Sequence, residues 1–132
     1  MLKNMVFCFL LFALVGAARA DTLSCSIAGG YTGNYNGPDT GLVRVNVAVD
    51  GKLDGELQSQ NSDRSFVIGG VVRGDGTLAT SGAVSSGAVF TGRFENNAAS
   101  GIWSKPVIIN GSQQVVTGRW SVRRTTAADG CQ

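Results

Sequence analysis

Catalysis at neutral pH needs side chains that exchange protons or attack an electrophile. The sequence has 132 residues and no histidine. A histidine base for a serine or cysteine nucleophile is therefore excluded, and so is a histidine ligand for zinc. Serine is plentiful, but no Gly-x-Ser-x-Gly elbow occurs. Carboxylates remain. Asp50, Asp54 and Glu56 crowd one stretch, while Asp39, Asp63 and Asp75 lie in turn-like sequence. Two acids held at the right separation can hydrolyse a glycoside. The plainer reading makes Asp50 a turn residue and puts Asp54 and Glu56 on a solvated face. The segment from Asp50 to Glu56 also lacks the spacing of a calcium loop. The expectation is a non-enzymatic protein with no catalytic residue, no metal and no cofactor.

Binding chemistry is better represented. Trp103 and Trp120 are the two tryptophans, and either could stack on a ligand or simply fill a core. Arg119, Arg123 and Arg124 form a short basic cluster, with Arg93 as a possible neighbour. Such a cluster suits an acidic partner or a charged cell-surface component, and it equally suits cross-strand pairing and solubility. The candidate contacts are Trp103, Trp120, Ser100 and Arg119.

These residues need a scaffold, and the first twenty residues are not part of it. Lys3 precedes an uncharged apolar run from Met5 to Ala17, and Ala18-Arg19-Ala20 supplies small residues before Asp21. That is the layout of a secretory signal peptide cleaved after Ala20. The run is shorter than the roughly 20 residues of a membrane span. Residues 21–132 are then a single exported domain, periplasmic or secreted, with no membrane span in the mature chain. Of 11 basic residues, Lys3 and Arg19 leave with the leader, so nine face nine acids and the +2 charge falls to zero. Global charge then gives no reason to expect a nucleic acid partner. Cys8 leaves as well. Cys25 and Cys131 remain, and in an exported protein two cysteines most simply form one disulfide. Two free thiols would belong to a reducing compartment.

The mature chain alternates apolar and polar residues nearly throughout. In Val43-Arg44-Val45-Asn46-Val47-Ala48-Val49 four valines share one face. The alternation and turn signals predict eight strands, near 27–36, 41–49, 52–59, 65–73, 77–84, 87–95, 99–109 and 113–124. Asp50-Gly51 and Asn110-Gly111 read as two-residue type I′ hairpin turns. Pro106 donates no ladder hydrogen bond, so it marks an edge, a bulge or a break in the seventh strand. Short connections imply an all-β antiparallel up-and-down meander.

Glycine recurs between large apolar residues, as in Tyr31-Thr32-Gly33-Asn34-Tyr35, Leu53-Asp54-Gly55-Glu56-Leu57, Phe90-Thr91-Gly92-Arg93-Phe94 and Val116-Thr117-Gly118-Arg119-Trp120. Ile68-Gly69-Gly70-Val71-Val72 and Ala99-Ser100-Gly101-Ile102-Trp103 follow the same rule. Parity puts these glycines on the core face, where a strand bends or a neighbour approaches closely. That suits a closed barrel better than a two-sheet sandwich, which explains the alternation alone.

Val49-Asp50-Gly51-Lys52-Leu53-Asp54-Gly55 and Val116-Thr117-Gly118-Arg119-Trp120 resemble hairpins of avidin-like and lipocalin-like barrels, glycine-rich exported proteins with eight strands. The avidin family's set of ligand-stacking tryptophans is not present, so no biotin binding is implied. The cysteine pair and Ser100-Gly101-Ile102-Trp103 resemble, the latter in part, small periplasmic lysozyme-inhibitor barrels. The resemblances imply a binding protein with one of two partners. The first is a small molecule or surface component in an apolar mouth near Trp103 and Trp120, which a solidly packed barrel would argue against. The alternative is a protein-binding module, such as a hydrolase inhibitor or accessory subunit, using a protruding loop near Ser100 or Asn110.

Overall fold

The computed structural model describes residues 23–83 and 87–131, with side chains 80–83 excepted. The predicted leader and Cys8 lie outside the described residues. Eight strands form: β1 (Gly29–Asn36), β2 (Gly41–Val47), β3 (Lys52–Ser59), β4 (Ser65–Val72), β5 (Leu78–Ala83), β6 (Ala88–Glu95), β7 (Ala98–Ile109) and β8 (Ser112–Ala127). Each pairs antiparallel with the next, and β8 pairs with β1 to close a barrel. The meander is the expected one, and closure selects the barrel over the sandwich.

Alternation fixes which residues enter the lumen. Val43, Val45 and Val47 are buried on β2, while Leu42, Arg44 and Asn46 face out. Val49 departs from this pattern and is 38 % exposed, because β2 has ended and the turn lifts it off the sheet. Tyr31 and Phe94 meet edge to face at 5.0 Å, and Trp120 packs against Phe94 and Phe90 at 6.2 and 6.4 Å. Among the described residues the void between core side chains, lined by Val43, Leu53, Phe90 and Trp120 among others, is about 10 Å³. That is about the minimum for one water molecule.

The two ends differ. At one end a turn over 23–28 plugs the barrel with Leu23 and Ala28. Arg124 donates to the carbonyls of Cys25 and Ala28, Tyr31 Oη donates to Ile27 O at 2.6 Å, and Cys25 is bonded to Cys131. The turns at this end include Asp50-Gly51, which is not type I′. Gly51 N donates to Ala48 O, only Gly51 takes a positive φ (92°), and Asp50 Oδ1 accepts from Lys52 N at 2.9 Å. This is a type I turn followed by a glycine bulge. The turn at Gly74-Asp75-Gly76 repeats it, with Gly76 at φ 91° and Asp75 accepting from Thr77 N. Asn110-Gly111 does form the expected type I′ turn, with φ 52° and 81°.

Among the described residues no such plug closes the other end. Here β7 and β8 outrun the wall: β6 reaches β7 only as far as Ser104, and β1 reaches β8 only as far as Arg119. Among the described residues Lys105–Ile109 and Ser112–Val116 therefore pair only with each other, as a two-stranded ribbon. Pro106 breaks nothing. The pair flanking a two-residue turn is hydrogen-bonded and pairs alternate from there. Pro106 and Val115 are thus a non-hydrogen-bonded pair, and the missing N–H falls where β6 has ended.

Candidate functional site

The open mouth is built around Tyr35 and Trp103, which meet edge to face at 6.1 Å. Leu57, Phe66 and Phe90 complete an apolar floor, and Pro38, Asp39, Lys105, Val107 and Val116 form the rim. The cavity they enclose is about 160 Å³.

Glycine makes room for both aromatic rings. A Cβ on Gly118 would overlap the Asn36 carbonyl oxygen and come within 2.5 Å of Trp103 Nε1. With no Cβ there, the indole lies flat on β8 and Nε1 donates to Asn36 O at 2.9 Å. A Cβ on Gly41 would lie 2.7 Å from the Tyr35 ring. The indole thus ties β7 to the end of β1 across β8, and Tyr35 occupies the space that Gly41 leaves.

Asp39 organises the rim. Its Oδ1 accepts from Thr40 N at 2.9 Å, Ser59 Oγ at 2.9 Å and Asn61 Nδ2 at 3.0 Å, and its Oδ2 accepts from Tyr35 Oη at 2.9 Å. Gln60 N also donates to Thr40 O at 2.8 Å. One carboxylate therefore joins the β1–β2 loop to the β3–β4 loop. Burial pushes the Tyr35 phenol up to about 12, and the hydrogen bond to Asp39 and the negative charge of that carboxylate push the same way. Tyr35 is a fixed, neutral donor at physiological pH.

The four candidate contacts do not converge. Trp103 borders the mouth. Trp120 sits deeper, lining the void in the core rather than the mouth, with its ring 2.6 Å from where a Gly92 Cβ would stand and its Nε1 donating to Thr91 O at 3.0 Å. Ser100 and Arg119 face outward on the wall, Ser100 near the start of β7 and Arg119 in the middle of β8. Ser100 belongs to no loop, so of the two proposed protrusions only the one at Asn110 exists.

The carboxylates are dispersed too. Asp50 and Asp75 accept from turn amides at the plugged end, Asp54 and Glu56 face solvent on β3 opposite Asn46 and Arg44, and Asp39 is at the mouth. Among the described residues no three His, Cys, Asp or Glu side chains gather as a metal site would require. Sequence reasoning missed Asp39, Lys105, Val107 and Val116. A signal for the last two was present, since residues 106–118 carry no charge while their apolar members exceed what one buried face can use. The searches of protein-family models, curated proteins and solved structures found no match to this chain.

Proposed function

We propose that the protein is an exported, non-enzymatic recognition module whose barrel mouth takes an apolar side chain from an extended segment of a protein partner. The observation that carries this is the size and setting of the mouth. Cavities for small ligands run to about 300–1,000 Å³, whereas this one is about 160 Å³ and opens beside a ribbon that carries no charge beyond Lys105 at its base. A shallow apolar pocket next to unpaired strand edges suits a protein: the pocket holds one anchor and the edge bonds the partner's main chain. Ile108 and Val115 are 69 % and 65 % exposed on the ribbon's outer face, while Val107 and Val116 lean over the pocket. Export is supported by the leader sequence and by the Cys25–Cys131 disulfide.

One observation favours the other reading, a small molecule. A cavity near 150 Å³ lined by apolar groups is large enough for a benzene ring, and Lys105 at the rim offers a cation for an acidic substituent. Selection of displayed random peptides on the folded protein separates the two. The module reading expects enriched sequences to share one bulky apolar residue in an extended context. Their binding to Val107→Asp, which places a charge at the rim, falls by about tenfold or more, as loss of an anchor does. Val67→Asp, on the exposed face of β4, leaves binding unchanged. Failure to enrich any such sequence, together with capture of an aromatic acid from a small-molecule library by the same mouth, moves the assignment to the second reading.

A further inference from the structure

The outer wall carries a second feature, independent of the mouth. Where β6, β7, β8 and β1 run side by side, a shallow groove of about 930 Å³ crosses the wall. Its floor lies near the backbone because Gly33, Ala98 and Ala99 fill so little of it. Thr32, Asn34, Ser100 and Ser121 line it with hydroxyls and an amide, and no aromatic side chain is among its lining residues.

Along β8, in the groove and just beyond it, two arginines have no carboxylate directly opposite them among the described residues. Arg123 lies opposite Thr32 on β1 and Ala98 on β7, and Arg119 lies opposite Asn36 and Ile102. Neither register position offers a carboxylate. On β2, by contrast, Arg44 stands directly opposite Glu56. The ion pair between Arg93 and Glu95 at 3.3 Å closes the β6 side. Arg119, Ser121 and Arg123 project outward in succession along β8, which places the two guanidinium-bearing positions about 14 Å apart. With nine basic and nine acidic residues after the leader, the chain is balanced overall, yet two arginines with no carboxylate opposite them stand on one polar wall.

We infer that this groove binds an anionic polysaccharide, with acidic groups on Arg123 within it and on Arg119, which projects from the same face of β8 just beyond its lining, and sugar hydroxyls on Ser100, Ser121 and Asn34. Guanidinium groups pair bidentately with carboxylate, sulfate or phosphate, and each such hydrogen bond is charge-assisted. The lining argues against an acidic protein, whose interface would need a desolvated apolar anchor at its centre. It argues against single-stranded nucleic acid too, because no aromatic platform is there to stack bases. Beyond β1 the next groove contains Asp54 and Glu56, so an anionic chain follows β8 rather than circling the barrel.

The test is binding of the intact, disulfide-bonded protein to immobilised heparin, polygalacturonate, dextran and poly-L-glutamate. Heparin and polygalacturonate separate sulfate from carboxylate as the acidic group. The expected result is salt-sensitive binding to at least one of them and none to neutral dextran. Arg119→Glu/Arg123→Glu weakens it by about tenfold or more, as loss of two charge-assisted contacts implies. Arg64→Glu, half that charge change in the exposed β3–β4 loop, leaves it within about twofold. Circular dichroism of both variants confirms the fold. Three results would each overturn the inference: no binding to either acidic glycan, an equal loss in Arg64→Glu, or tighter binding to poly-L-glutamate, which reassigns the groove to an acidic polypeptide.

Discussion

Two tryptophans are seated in the same way. Trp103 lies over Gly118 and Trp120 over Gly92, and each indole N–H donates to a backbone carbonyl of a neighbouring part of the wall. A strand glycine normally weakens a sheet. Here its missing side chain is filled by a ring, so backbone that would otherwise face a gap is covered and an acceptor is satisfied. The Trp103 seat has two separable parts. Gly118→Ala forces a Cβ against Asn36 O and the indole, an overpacking that costs about 1–3 kcal/mol or more. Trp103→Phe keeps the packing but strands the Asn36 carbonyl, at about 1–3 kcal/mol. In the double variant the smaller ring yields to the new Cβ, so the loss is less than the sum. Urea unfolding of the three variants measures this. Strict additivity would show that ring and glycine act separately.

At the scale of elements, the ribbon formed by the ends of β7 and β8 stands apart from the wall that carries it. It lies beyond the last pairs with β6 and β1, so barrel closure does not depend on it. Removing Val107, Ile108, Gln113 and Gln114 takes two residues from each strand, which preserves both the Asn110-Gly111 turn and the face assignment of what remains. Stability should stay within about 1 kcal/mol of the parent, as for surface changes in general, while peptides selected on the parent lose their binding. A large fall in the urea midpoint would instead make the ribbon part of the folding core. Legibility in the sequence divides along the same line. All eight strands were readable, because alternation and turn residues are local properties; Pro106 announced an edge, and the core-face glycines announced the close approach of neighbouring backbone and rings. The turn at Asp50-Gly51 was misjudged, since a dipeptide does not reveal whether the loop holds two residues or three. The mouth was not readable. Asp39 looks like any turn aspartate until Ser59 and Asn61, 20 and 22 residues away, are brought to it by the register of β2 on β3. Trp103 and Trp120 share parity, yet their depths differ by the stagger of β7 on β8, which one-dimensional spacing does not encode.

For the molecule as a whole, the β1–β8 seam joins the first strand to the last, and that is why Cys25 and Cys131 can meet. The plugged end is held by that bond, by Arg124 reaching the carbonyls of Cys25 and Ala28, and by the N–H of Leu23 donating to Val49 O at 2.7 Å. The mouth is held by different groups, chiefly Asp39 and the Trp103 seat. The disulfide closes a loop with a sequence separation of 106. Chain-entropy arguments assign a loop of that order about 4.7 kcal/mol, nearly all of it by restricting the unfolded chain. Much of the stability of a domain this size rests on one bond, because such domains total only about 5–15 kcal/mol. Cys25→Ala/Cys131→Ala should therefore lower unfolding free energy by about 3–5 kcal/mol in urea. The same variant separates the global effect from a local one. If the bond also pins the plug, amide exchange at Leu23 and Ala28 accelerates beyond the global loss, whereas exchange at Gln60 in the mouth rises only by the global factor. Equal acceleration at both ends would mean that the disulfide acts on the unfolded chain alone and that Arg124 and Leu23 hold the plug without it.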